Sequence, residues 1–172
     1  KKINTKEKEI LFSTAKLTPS DLAAIYNACD CTINISDAEG FGLSTLESLA
    51  CETPIIVNMT GGLQEQVTDG EKWFGIGIEP CSKAIIGSQN VPYIYEDRIA
   101  KQDFLQALQN FVNMSADERN NLGSLGRAHV INNYGFDQYH NLWKETLDNI
   151  IKTNGSWENR KNYKSWTMEE LP

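Results

Sequence analysis

Glu39 and Glu47, with seven residues between them, flank a turn that contains Gly40 and Gly42. Carboxylates are hydrogen-bond acceptors that suit pairs of hydroxyl groups. A helix that opens on glycines presents free backbone N–H groups and the positive end of its dipole, a combination that attracts anions. The run Ser36-Asp37-Ala38-Glu39-Gly40-Phe41-Gly42-Leu43-Ser44-Thr45-Leu46-Glu47 thus sets two acids beside an anion site. Such a pair repels a bare phosphate, but a nucleotide-sugar carries hydroxyls on both sides of its diphosphate, on the hexose and on the ribose. Glu47 falls ~7 Å along the helix axis from Gly42 at ~1.5 Å per residue. Glu39 lies in the loop before the helix, so the two acids bracket its N-terminus.

The elements around this run must place it. Cys31-Thr32-Ile33-Asn34-Ile35 reads as a buried strand leading in. Leu43, Leu46, Leu49 and Ala50 are spaced for one face of a helix leading out. Gly40 and Gly42 stand where a tight turn and a close ligand both favour a residue without Cβ. Glu47, one turn after Leu43 and one before Ala50 and Cys51, is expected on the inward face, where a carboxylate needs a partner.

Glu39 through Glu47 resembles the EX7E motif of the retaining GT-B glycosyltransferases, family 4 above all. Upstream, Leu22-Ala23-Ala24-Ile25-Tyr26-Asn27-Ala28-Cys29-Asp30 is similar to the helix that precedes the motif strand in that family. Downstream, Leu49 to Val57 resembles its Ala-Cys-Gly-x-Pro-Val segment, and Gly61-Gly62-Leu63-Gln64-Glu65 its Gly-Gly-x-x-Glu turn. Glu52 stands where that family has glycine, so the helix end there must close without the usual left-handed residue. The Gly-x-Gly lacks the third glycine of a dinucleotide-binding fingerprint. The likeness is strong from about Ile10 to Asp69 and weaker over the helical remainder.

The resemblance implies the donor half of an enzyme that transfers a hexose, with retention, from a nucleotide diphosphate such as a UDP- or GDP-sugar to a glycan, lipid or other acceptor. It implies polysaccharide or glycoconjugate synthesis without a metal or other cofactor. Glu39 would hold hexose hydroxyls as the catalytic-centre acid. Gly40, Phe41, Gly42, Leu43 and Ser44 would hold the donor, with the Gly42 and Leu43 N–H groups on the diphosphate, and Glu47 would hold the ribose. The family's diphosphate-neutralising cations precede this region. Lys6 and Lys8 lie in a charged lead-in, and Lys16 is the one cation placed near the ligand end. The implied partner is an N-terminal acceptor domain of the same protein, and the implied setting is cytoplasmic, with peripheral membrane association of the full protein left open. A chain opening on Lys1 reads as part of such an enzyme, expected to be inactive alone. The alternative readings are a non-catalytic nucleotide-sugar-binding or assembly module of the same fold, a nucleotide-sugar epimerase, and a glycan phosphorylase. The last needs a cofactor lysine context that the sequence does not offer.

Composition bounds these readings. The 172 residues are enough for one domain with a real core, and 40% hydrophobic with 23% charged is ordinary globular material. A net charge of -7 disfavours nucleic acid, whose binders carry a basic face. No apolar run approaches the ~20 residues of a membrane span. Cys29 and Cys31 lack the matched second pair or histidines of a zinc site, so the four cysteines, with Cys51 and Cys81, read as small buried hydrophobes in a reducing compartment. His129 and His140 sit in helical patterns with no Cys or Asp at catalytic spacing.

Elements alternate along the chain. Glu9 to Thr14 reads as a short buried strand, and Thr18-Pro19-Ser20-Asp21 as the capped start of a helix with Leu22, Ile25, Tyr26 and Cys29 inward. After the motif come a strand at Pro54 to Val57, a helix at Leu63 to Val67, a turn at Asp69-Gly70 and a strand at Trp73 to Ile78. This alternation predicts an α/β fold, a Rossmann-like parallel sheet with helices on both faces; the resemblance implies that it is the C-terminal half of a GT-B protein, incomplete at its N-terminus. Glu79 to Arg98 reads as a long loop with a short strand at Val91 to Tyr95. Several helices end the chain. Their stripes are Phe104, Leu105, Leu108, Phe111 and Val112, then Leu122 and Leu125 after a Ser115–Glu118 capping box, then Tyr139, Leu142, Trp143, Leu147, Ile150 and Ile151. The domain is expected to span residues 1–153. Residues 154–172, with Tyr163 and Trp166 in a polar setting, read as a tail that docks on another surface, which the resemblance implies is the N-terminal domain.

Overall fold

Ile55–Asn58 is buried at every position, as a strand covered on both faces must be. The computed structural model describes residues 2–5, 8–11, 13–156, 158–161 and 168–170. In chain order the elements begin with β1 (Lys2–Thr5), β2 (Lys8–Leu11), α1 (Pro19–Asn27), β3 (Thr32–Asn34), α2 (Leu43–Ala50) and β4 (Ile55–Asn58). They continue with α3 (Leu63–Val67), β5 (Gly75–Ile78), β6 (Ser82–Ile86), β7 (Ile94–Arg98), α4 (Lys101–Asn113), α5 (Ala116–Tyr134) and α6 (Phe136–Asn154). The chain divides into two units, Lys1–Ala128 and His129–Pro172. Tyr163 and Trp166 lie outside the described residues.

The centre of the first unit is a parallel sheet in the order β3-β4-β5, with Thr32 opposite Ile55 and Ile55 opposite Gly75. Each crossover is a helix, the α/β arrangement expected. Ile56 and Ile78 pack with Ala107 and Phe111 of α4 on one side of the sheet. Ile55 and Val57 alternate to the other face, where α2 and α3 contact β4. Leu49, Leu63 and Val67, with no exposed surface, supply the core from those two helices.

Several expectations need correction. Among the described residues β3 lies at the sheet's edge, not in its interior, and Ile33 and Ile35 are exposed. The first strand exists at Lys8–Leu11, but it pairs antiparallel with β1 in a separate two-stranded sheet. Helix α1 is capped by Thr18 as its sequence predicts, with the Asp21 N–H donating to the Thr18 hydroxyl at 3.2 Å, yet none of its residues is buried. The stretch read as a loop over Glu79 to Arg98 is an antiparallel hairpin of β6 and β7, with Ser82 opposite Arg98 and Ile86 opposite Ile94. Cys29 and Cys81 are exposed, Cys31 and Cys51 half-buried, and all four are free thiols rather than core residues. Burial still pushes the Cys31 thiol up, with the Asp30 charge adding to it.

The helical remainder is partly as read. The Ser115 capping box forms: the Ser115 N–H donates to Glu118 Oε2 at 2.7 Å and the Glu118 N–H to Ser115 Oγ at 3.3 Å. In α4 the inner stripe is Phe104, Ala107, Leu108 and Phe111, while Leu105 and Val112 face out. In α5 the buried positions are Gly123 and Gly126, not leucines. They pass close to the Glu52 carbonyl and the Leu49 side chain. In the second unit no residue of α6 is buried, so its aromatic and aliphatic stripe is not core within that unit.

Candidate functional site

Gly42 ends the loop after β3 and caps α2 with a left-handed backbone, φ 90° and ψ 63°. A Cβ there would stand 2.6 Å from Leu63 Cδ2 and 2.7 Å from Thr45 Oγ1, so both conformation and packing require glycine. No side chain caps α2, which leaves its first-turn N–H groups without intrahelical acceptors. Gly40 differs from Gly42. It is outside the left-handed region and a Cβ would meet nothing within 4 Å, so the fold makes no demand for glycine at that position.

Three groups missed by the sequence reading hold this turn from below. The Thr45 hydroxyl lies 2.8 Å from the Gly42 carbonyl and 2.5 Å from Gln66 Oε1. Gln66, fully buried, donates from Nε2 to the Phe41 carbonyl at 2.6 Å. The Gly62 N–H donates to the Glu39 carbonyl at 3.3 Å. Gly61 and Gly62 lie so close to the backbone of Glu39 and Phe41 that a Cβ on either would overlap it. The Gly-Gly turn was legible as a motif, but not as the support under the loop.

The buried side of α2 is Thr45, Ser48 and Leu49. Leu43 is 67% exposed and Ala50 exposed, which corrects the expected apolar face. Glu47 therefore does not point inward. It is exposed, and its Oε2 accepts a hydrogen bond from the Tyr26 hydroxyl of α1 at 3.1 Å. Burial, then the bond to Glu47 and its charge, push the Tyr26 phenol up to about 12. Beside this pair lies an apolar cavity of about 220 Å³ between Leu22, Ala23 and Ala50. Glu39 is half-buried, and its carboxylate has no hydrogen-bond or ion-pair partner among the described residues. Along the chain the two acids flank the uncapped start of α2, with Glu47 tethered by Tyr26 and the Glu39 carboxylate without a partner among the described residues.

Phe41 is 42% exposed over the turn and Ser44 is exposed in the first helical turn. Lys16 is exposed ahead of α1, and none of the described bonds joins it to the motif. Among the described residues no group of three or more His, Cys, Asp or Glu could hold a metal ion. No helix among them is long and apolar enough to cross a membrane.

Comparison with known proteins adds to this geometry. A family model described as "Glycosyl transferases group 1" matches residues 4–123. A D-inositol 3-phosphate glycosyltransferase of Acidothermus cellulolyticus is 46% identical over 55 residues, 32% of this chain and 12% of the relative. Proteins of the same name from Thermomonospora curvata and Corynebacterium glutamicum are each 42% identical, over 66 and 65 residues, covering 38% of this chain and 15% of theirs. The matched stretches thus span a small part of each relative's length.

Proposed function

The chain belongs to the group 1 glycosyltransferases, family 4 of the GT-B fold, and from that premise we propose that it forms the donor site of a retaining hexosyltransferase. The donor is a nucleotide diphosphate sugar. The observation that carries this reading is the uncapped N-terminus of α2, opened by a left-handed Gly42, with Glu39 before it and Glu47 after it in sequence. In it the diphosphate sits on the Gly42 and Leu43 N–H groups, with Phe41 and Ser44 at its sides and open space over Gly40. Preorganised donors of this kind stabilise the charge that the leaving diphosphate develops.

The carboxylates divide the rest of the donor. Glu47, held by Tyr26, accepts from the ribose hydroxyls, and the untethered Glu39 accepts from the hexose. Lys16, exposed on the segment before α1, is the cation assigned to the diphosphate. The acceptor is a glycan, lipid or other hydroxyl compound bound outside this chain. Inositol phosphate is named for the relatives, but the matches cover only 12–15% of their length, so that acceptor is not carried over to this chain. Residues 154–172 and the exposed stripe of α6 are assigned to docking on an acceptor domain of the full-length protein.

Calorimetry on the full-length protein tests the assignment with two variants. Glu47→Ala is expected to weaken nucleoside diphosphate binding by about 1.5–3 kcal/mol, the worth of hydrogen bonds to a charged group, and Glu47→Gln by less. Glu39→Ala is expected to leave that affinity near wild type while hexose transfer from the intact donor collapses. Unchanged binding in both Glu47 variants would remove the ribose assignment. Equal losses of binding and transfer in Glu39→Ala would move Glu39 from the hexose to the diphosphate.

A further inference from the structure

The root of the β6–β7 hairpin is joined to the loop that carries Glu39. The Asp97 N–H donates to the Asp37 carbonyl at 2.7 Å. The buried Asn58 amide, at the end of β4, donates to the Ser36 and Asp97 carbonyls at 2.9 Å each. The Thr60 hydroxyl donates to Asp97 Oδ2 at 2.8 Å. Above these backbone ties the Arg98 guanidinium donates through one nitrogen to the Asp37 carboxylate and through the other to Glu96. Glu96 belongs to the same strand, so it orients the guanidinium while Asp37, two residues before Glu39, is what the guanidinium holds.

We propose that Arg98 is a positioning residue for Glu39, fixing the carboxylate where it meets the transferred hexose. The inference rests on the role given to Glu39 under Proposed function. Two observations separate position from stability. The Arg98 and Asp37 side chains are 43% and 38% exposed, a setting in which an ion pair adds little to folding. The backbone ties from Asp97 and Asn58 do not involve the guanidinium, so the hairpin stays docked without it. The guanidinium removes the remaining lateral freedom of the loop. The Gly62 N–H fixes the Glu39 carbonyl from the other side. Glu47, assigned to the ribose, is held instead by Tyr26 of α1 and shares no bond with this clamp.

The test compares Arg98→Met, Arg98→Lys, Asp37→Asn and the double variant Arg98→Met/Asp37→Asn in the full-length protein. Misplacement of a reacting group by ~1 Å costs on the order of 100-fold, so Arg98→Met is expected to lower kcat by about 10- to 100-fold. The KM for donor and the Kd for nucleoside diphosphate are expected within about twofold of wild type, the split a transition-state effect produces. Arg98→Lys recovers part of the loss. Asp37→Asn matches Arg98→Met, and the double variant loses no more than either, as partners in one contact must. An unchanged kcat in Arg98→Met overturns the inference, as do equal losses of kcat and nucleotide affinity, or losses that multiply in the double variant. A wild-type protein that transfers no hexose overturns the proposed function and this inference with it. A wild type that transfers, with Arg98→Met equally active, overturns the inference alone.

Discussion

Replacing Gly42 and Gly40 one at a time by alanine separates what the fold requires from what the ligand requires. At Gly42 the backbone is left-handed, which costs an L-residue about 1–2 kcal/mol. The added methyl also meets Leu63 Cδ2 at 2.6 Å and Thr45 Oγ1 at 2.7 Å, both on buried residues, and overpacking of this kind costs about 1–3 kcal/mol. A central sum of about 3 kcal/mol lowers Tm by about 6–12 °C in a chain of this length. At Gly40 neither term applies. The alanine there reduces only the freedom of the unfolded chain, which is worth about 0.4–1 kcal/mol of added stability. Scanning calorimetry of this chain is therefore expected to show a large fall for Gly42→Ala and no fall for Gly40→Ala. Titration of the full-length protein with nucleotide-sugar is expected to show the reverse cost: the Gly40 methyl fills space assigned to donor and weakens binding by about 10-fold, about 1.4 kcal/mol. A Gly40→Ala protein with unchanged donor affinity would refute the placement of the donor. One with a Tm as low as that of Gly42→Ala would refute the packing argument.

Three further outcomes are expected. Glu52 holds a left-handed backbone, φ 61°, so Glu52→Gly should be about 1 kcal/mol more stable than Glu52→Ala, which removes the 3.7 Å approach to Arg127 but keeps the strain; urea titration of the two variants measures it. The Tyr26 phenol is raised from 10.0 to about 12, so its contribution to stability is complete below pH 10 and is lost as pH climbs toward 12; Tyr26→Phe should lack that loss in a pH series of unfolding curves. This chain alone should bind a nucleotide-sugar only weakly, near millimolar or about -4 kcal/mol, because a helix N-terminus adds only ~0.3–2 kcal/mol and the net charge of -7 opposes a diphosphate. Submicromolar binding in calorimetry would contradict that.

The motif, the parallel sheet and most helix boundaries were legible because they depend on local signals: caps, glycines and apolar runs. α3 begins and ends where the sequence placed it. The inward face of α2 was not legible, because its buried positions include the polar Thr45 and Ser48. Their partners are distant in sequence, Gln66 for Thr45 and Thr32 for Ser48. A periodicity that counts apolar residues assigns that face to Leu43 instead and turns Glu47 inward. The β6–β7 hairpin was hidden for a related reason. Its strands pair across Gly87 to Tyr93, a connection with no short turn signal, and its root is anchored by Asn58 and Thr60 rather than by its own residues. At the site, Glu39, Gly42 and Glu47 could be named from sequence, but Tyr26, Gln66 and Arg98, which bind to them or to their loop, could not.

The separation between paired strands sets an order of assembly. β6 and β7 meet across a single hairpin, an event of about 1–10 μs, whereas Thr32 must find Ile55, and Ile55 must find Gly75, across an intervening helix each time. Contacts that close long loops form slowly, because the chain loses its entropy before the pairing rewards it. The hairpin is therefore expected to form before the sheet end that receives it, with the ties from Asn58 to Ser36 and Asp97 closing afterwards. Until then β3 and β4 present unpaired edges rich in isoleucine, the template on which chains pair with one another instead of with themselves. Dilution and low temperature during refolding should accordingly decide yield.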